Sequence, residues 1–105
     1  MPYVIPTHVD ETVLLAALDD PTRWRILQLL RAAELCTTHL QQDLDLKQPL
    51  ISHHLRVLRE AGLVITEPCG RYTYYRLRPG ALDALGSAVG DLAAASHLTP
   101  ERRPC

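Results

Sequence analysis

The chain has 105 residues, enough for one compact domain and too few for two independent cores. Its composition, 47% hydrophobic and 22% charged, is that of a folded globular protein and excludes a largely disordered one. The longest apolar run, Val13 to Leu18, is too short to span a bilayer. The opening MPYVIPTHVDE holds no Lys or Arg and no sustained apolar block, so it predicts no secretory signal. A cytoplasmic protein with no membrane partner is expected. The net charge of −1 would argue against a polyanionic partner only if the charges were evenly spread. They are not. Residues 1–45 carry three Arg against seven acids, whereas 46–80 carry Lys47, Arg56, Arg59, Arg71, Arg76 and Arg78 against only Glu60 and Glu67. A basic middle third of this kind suits nucleic acid. There is no Phe and one Trp but 19 Leu, which favours packed helices over a sheet sandwich. So short a helical chain buries little surface alone, and a partner subunit is expected.

Residues 1–8, with Pro2 and Pro6, read as an extended N-terminal arm. Val9, Val13, Ala16, Ala17 and Leu18 are spaced for a helix over about 9–19. Asp20 caps a second helix with Pro21 in its first position, and Ile26, Leu27, Leu30 and Ala33 repeat on one face. Glu34-Leu35-Cys36 reads as a short link, and Thr37 or Thr38 as the cap of a third helix carrying Leu40 and Leu44. Asp45 to Gln48 is a tight connection, and Pro49 sits at the start of a fourth helix. That helix turns Ile51, Leu55 and Leu58 inward and stops at Gly62. Helix, short turn, helix is the pattern of a helix-turn-helix unit.

From Leu63 the period changes to that of strands. Leu63 to Thr66 and Arg71 to Leu77 predict a β-hairpin turning through Pro68-Cys69-Gly70. A last helix over about 80–97 aligns Leu82, Leu85, Val89 and Leu92, with Gly86 and Gly90 suited to close approach of another helix. The expected fold is mostly α with a small β-hairpin: a winged helix-turn-helix of five helices plus wing, paired as a homodimer through its first and last helices. Residues 9–97 form that domain, and 98–105 a flexible tail.

Turning Ile51, Leu55 and Leu58 inward leaves Gln48, Ser52, His53, Arg56 and Arg59 on or near the solvent side. In a major groove Gln pairs with adenine, Arg with guanine, and Ser or His with several base edges. The N-terminal part of such a helix makes the base contacts. Gln48, Ser52 and His53 are therefore expected as readers beside Pro49, with Lys47 and Arg56 on phosphate. Arg71 and Tyr72 at the hairpin tip suit the minor groove or backbone. His54, beside the buried stripe, is expected to pack or hydrogen-bond.

Several segments resemble the ArsR/SmtB transcriptional repressors: Ala17-Leu18-Asp19-Asp20-Pro21-Thr22-Arg23, Glu34-Leu35-Cys36, the run Gln48 to Val64, and Gly70-Arg71 with Tyr74-Tyr75-Arg76-Leu77. The resemblance spans roughly residues 10–95 and implies a homodimer that binds double-stranded operator DNA and is released by a metal or metalloid inducer. The chain departs from the family at Lys47, where Ser is frequent and where Lys cannot cap the helix. The family's arsenic sensors show Glu-Leu-Cys-x-Cys-Asp-Leu, whereas this chain reads Glu34-Leu35-Cys36-Thr37-Thr38-His39-Leu40, with Thr38 in place of the second Cys. The family's other metal site, Asp-x-His early in the last helix, falls near Pro79 and Ala81 and is expected to be absent.

Cys36, Cys69 and Cys105 in a cytoplasmic chain suggest no structural disulfide. DNA binding needs no cofactor. The inducer expected at Cys36 is arsenite or antimonite, held with Cys105 of a second copy, or a divalent ion shared with His8 and His39, since soft centres choose thiolates. The competing reading is a thiol-redox regulator in which Cys36 and Cys105 form a disulfide and no metal binds. An enzyme is not expected: His53-His54 are adjacent and no glycine loop cradles phosphate.

Overall fold

The computed structural model describes residues 10–105, so the arm at 1–8, His8 and Val9 lie outside the described residues. In chain order the elements are α1 (Glu11–Leu18), α2 (Pro21–Ala32), β1 (Leu35–Cys36), α3 (Thr37–Leu44), α4 (Gln48–Glu60), β2 (Val64–Cys69), β3 (Tyr72–Leu77) and α5 (Asp83–Ala95). Each early helix starts where a side chain can satisfy orphan N–H groups. Asp10 Oδ1 accepts from the Thr12 N–H at 2.7 Å, and Asp20 Oδ1 from the Arg23 N–H at 3.0 Å. Pro21 follows that second cap as the spacing predicts. α3 is capped by Cys36 rather than by either threonine. It ends at Asp45 in the left-handed region (φ 54°), and Gly62 (φ 76°) ends the chain's passage through α4. Asp45 bears the cost of that conformation because an Asp side chain tolerates it better than most.

The helices enclose one core. Ile26, Leu27 and Leu30 from α2, Leu40 and Leu44 from α3, and Ile51, Leu55 and Leu58 from α4 are buried together with Leu63 and Val64. α1 adds Leu14 and Ala17, while Val13, Leu15 and Ala16 face out. The inward stripe of that helix is therefore shifted from the one its apolar spacing suggested.

The wing is a three-stranded antiparallel sheet in the order β1-β3-β2, not a lone hairpin. The expected link is strand β1: Leu35 pairs with Tyr75 and Cys36 with Tyr74. Two residues are too few to leave a periodic signal, and their pairing is fixed by a strand some 40 residues on. The hairpin turn is also displaced. β2 continues through Pro68 and Cys69, paired with Thr73 and Tyr72, so the turn is Gly70-Arg71 with Gly70 at φ 60°. Pro68 is tolerated because β2 is an edge strand, where a missing N–H breaks no ladder.

α5 is attached through its start. Leu82 and Leu85 reach the core, but of residues 86–95 only Ala88 is even partly covered. The chain is correspondingly extended, with a radius of gyration of 16.9 Å. A compact chain of this length would have about 13 Å. Val89, Leu92 and Leu98 are exposed, Leu92 to 73%. Space lies open beside Gly86 and Gly90, so their close-approach surface is not used within the subunit. Among the described residues no helix is long and apolar enough to cross a membrane. Leu58 is fully buried where α4 meets the core. Leu58→Ala is expected to lower unfolding free energy by about 2–5 kcal/mol, read from the denaturation midpoint in urea at unchanged slope.

Candidate nucleic-acid interface

α3 and α4 are joined by Asp45-Leu46-Lys47, and the Leu46 N–H returns to the Gln41 carbonyl at 3.2 Å, closing the end of α3. Lys47 occupies the cap of α4 without any side-chain capping bond, and Pro49 sits in the first turn. Four side chains of α4 are buried: Ile51, His54, Leu55 and Leu58. The opposite face presents Lys47, Gln48, Pro49, His53 and Arg56 to solvent, with Ser52 half-buried between them. Gln48 Nε2 donates to Ser52 Oγ at 2.9 Å, so the two expected readers are joined before any ligand arrives. The wing tip exposes Arg71 in the turn and Tyr72 at the start of β3. Every residue expected on DNA therefore lies on α4, its cap or the wing tip.

The basic middle third divides by role. Arg78 Nη1 donates to the Gly62 carbonyl at 3.4 Å and holds the end of α4 against the sheet. Arg76 lies 3.7 Å from Glu34, an exposed pair that adds little. Lys47, Arg56 and Arg71 are exposed, and their charge is directed to solvent. These three carry the exposed positive charge of the middle third.

The cysteines separate clearly. Cys36 is buried, while Cys69 and Cys105 are exposed. Cys36 and Cys69 flank β3 on opposite sides, opposite Tyr74 and Tyr72. Two inter-strand spacings, about 10 Å, put them beyond disulfide reach. Cys36 and His39 do come together: His39 Nδ1 accepts from the Cys36 N–H at 3.1 Å and lies 3.4 Å from its Sγ. Tyr74 stands beside His39, with ring centroids 6.0 Å apart. Thr38, Gln42 and Tyr72 complete a cavity of about 230 Å³ over this pair. The described residues hold no group of three His, Cys, Asp or Glu fit for a metal. One thiol and one imidazole supply two of the donors that a four-coordinate ion needs, so these two described residues do not complete a centre by themselves.

The sequence reading missed a polar hub behind the reading face. Arg23 Nη1 donates to His54 Nδ1 at 3.3 Å, and Asp20 Oδ1 lies 4.0 Å from that same nitrogen. Burial, before the charge of Arg23, holds the His54 pKa below its ordinary value, against the pull of Asp20. The Arg23 N–H, before the charges of His54 and Arg23, holds the Asp20 carboxyl below its usual range. The position of His54, three residues from Ile51 and four from Leu58, gave its packing and hydrogen-bonding role, but nothing local named Arg23 and Asp20 as its partners.

A helix-turn-helix with a basic outer face and a wing beside it defines a DNA-binding regulator. Residues 20–66 match the profile of the bacterial regulatory protein, arsR family. The chain is 40% identical over 93 residues to the arsenic resistance transcriptional regulator ArsR1 of Pseudomonas putida, covering 85% of this chain and 72% of that one. It is 45% identical over 80 residues to the arsenical resistance operon repressor of Escherichia coli, covering 75% and 64%. Among solved structures, a possible transcriptional regulator for arsenical resistance superposes at TM-score 0.67 with 35% identity, covering 82% of this chain and 96% of that one. HlyU from Vibrio cholerae does so at 0.67 with 32%, covering 80% and 91%. The chain belongs to the ArsR family and is a DNA-binding transcriptional repressor of it.

The hub fixes a pH dependence. Below pH 6.5 the unfolded chain takes up a proton at position 54 that the folded chain resists. Stability present above that pH therefore declines as pH falls through and below it. Asp20 adds a second loss as pH falls below 3.8 toward its depressed value. His54→Gln is expected to remove the first loss and keep the second, measured as urea midpoints between pH 3 and pH 8.

Proposed function

We propose that two copies of this chain, joined through α1 and α5, bind operator DNA and leave it when an inducer occupies Cys36. The observation that carries the DNA reading is the two-sidedness of α4: a fully apolar inner face apart from His54, and an outer face of Lys47, Gln48, Pro49, Ser52, His53 and Arg56. Gln48, Ser52 and His53 read base edges, Lys47 and Arg56 hold phosphate, and Arg71 with Tyr72 enters the neighbouring minor groove or backbone. Exposed Val13, Leu15, Val89, Leu92 and Leu98 supply the apolar surface for pairing. The glycines at 86 and 90 let two α5 helices come close.

The inducer reading is supported by the buried Cys36 thiol, its His39 neighbour and the cavity beside them. A trivalent metalloid recruits Cys105 of the second copy; a divalent ion keeps His39 and adds His8. Arg56→Ala and Arg71→Ala are each expected to weaken binding to all duplexes and to reduce the slope of log affinity against log salt by about 1. Gln48→Ala is expected to change which duplex is preferred. Equal losses on every duplex for all three variants would remove the assignment of readers.

Cys36→Ser is expected to bind the region upstream of the chain's own gene as wild type does and to stay bound with arsenite, antimonite, cadmium or zinc in a gel shift. Cys105→Ser should lose only the metalloid response, and His39→Ala only that to divalent ions. Release by peroxide alone, with a Cys36–Cys105 disulfide in the mass spectrum, would replace the inducer with a redox switch.

A further inference from the structure

Arg23 stands on α2, away from every residue assigned to DNA, yet its guanidinium spans two other helices. Its Nε donates to the Ala17 carbonyl at 2.6 Å and its Nη2 to the Ala16 carbonyl at 3.2 Å. These are last-turn carbonyls of α1, whose i+4 helical partners are missing; Ala16 keeps only a 3.3 Å bond from the Asp19 N–H. The remaining nitrogen, Nη1, donates to His54 Nδ1 on the buried side of α4. Arginine has no lone pair to offer, so His54 accepts through Nδ1 and carries its proton on Nε2. All three bonds have a charged donor and are stronger than neutral ones.

We propose that Arg23 is a positioning residue for DNA recognition, tying the last turn of α1 to His54 so that the setting of α4 follows that of the dimer helix. The proposal rests on the reading of α4 as the DNA-reading helix and α1 as part of the dimer interface. His54 lies one turn from both Ile51 and Leu58, directly behind the reading face. Base readers must be held to within about 0.5 Å by the groups behind them. Core packing sets which face of α4 points outward, and the directional bonds of the three-way tie add a link between that setting and the end of α1.

The tie has a built-in release. A proton on Nδ1 removes the lone pair that Arg23 uses and places a cation beside a guanidinium. The new N–H turns to Asp20 Oδ1, 4.0 Å away. The charged and titratable groups at His54 among the described residues are Asp20 at the cap of α2, Arg23 on α2 and His53 on α4, with its ring 5.4 Å away. Acid therefore moves His54 from the residue that holds α1 to one that does not.

The test uses the full chain, a duplex enriched by the wild type from a random pool, and a shuffled duplex of equal composition. The readout is the ratio of the two affinities between pH 5 and pH 8, with the imidazole nitrogen spectrum of His54. The wild type is expected to show the Nε2–H form at pH 7.5 and a ratio that falls only in acid, below the ordinary imidazole range, because burial holds the folded His54 lower than that. Arg23→Gln should lower the ratio about tenfold, an ordinary size for coupling between sites. Its affinity for the shuffled duplex, set by phosphate contacts, should be unchanged. Arg23→Lys should fall between, because one ammonium reaches either α1 or His54. His54→Gln, whose amide oxygen still accepts from Arg23, should keep the ratio and lose its acid dependence.

An unchanged ratio in Arg23→Gln overturns the proposal, and so does an equal loss on both duplexes, which marks a merely structural role. An Nδ1–H form of His54 at neutral pH overturns it whatever the DNA does. If the wild type enriches no sequence at all, the reading of α4 fails first, and the nitrogen spectrum still judges the Arg23–His54 bond separately.

Discussion

The buried face of α4 is the constraint on which the rest of the molecule depends. Ile51, Leu55 and Leu58 are inserted between α2, α3 and the base of the wing, and they are removed from solvent almost completely. Because a helix turns about 100° per residue, fixing those three also fixes the direction of Gln48, Ser52, His53 and Arg56. The direction of the outer face is therefore a consequence of core packing. The one polar side chain admitted to the inner face, His54, is admitted with a hydrogen-bond partner, as a buried polar group requires.

Electrostatics is organised by the same division. Within the basic middle third the exposed cations, Lys47, Arg56 and Arg71, sit on the turn, the outer face of α4 and the wing tip. Arg23 and Arg78 spend their donors on backbone carbonyls at helix ends. A chain with net charge −1 can thus attract a polyanion to one face, because its basic groups are sorted by place and its acids lie largely elsewhere.

Much of this was legible in the residues. The helical stripes of α3 and α4, that of α2 as far as Leu30, the Asp20-Pro21 start and the Gly62 stop are local signals with local causes, and the structure has each of them; Ala33, expected on the α2 stripe, is exposed because the helix ends at Ala32. The outward set on α4 followed by projection. What was not legible depended on distant partners. β1 exists only because β3 lies beside it, and the strand through Pro68 and Cys69 only because Tyr72 and Thr73 return opposite them. α1 has two apolar faces, and its sequence does not say which belongs to the subunit's own core. The partnership of Arg23 with His54 crosses 31 positions and leaves no periodic trace.

The third strand changes what kind of object the wing is. A two-stranded ribbon alone is marginal in water, and such a ribbon would reach DNA as a fluctuating loop. β1 pairs with β3 and is continuous with the start of α3, so the ribbon is stitched to the helix-turn-helix at its base. Arg71 and Tyr72 are consequently held out ready-shaped, so that the docking proposed for them would cost little chain entropy. In the proposed mode of binding, grip on the duplex then comes from a stiff calliper, with α4 as one jaw and the ribbon as the other, whose gap is set during folding.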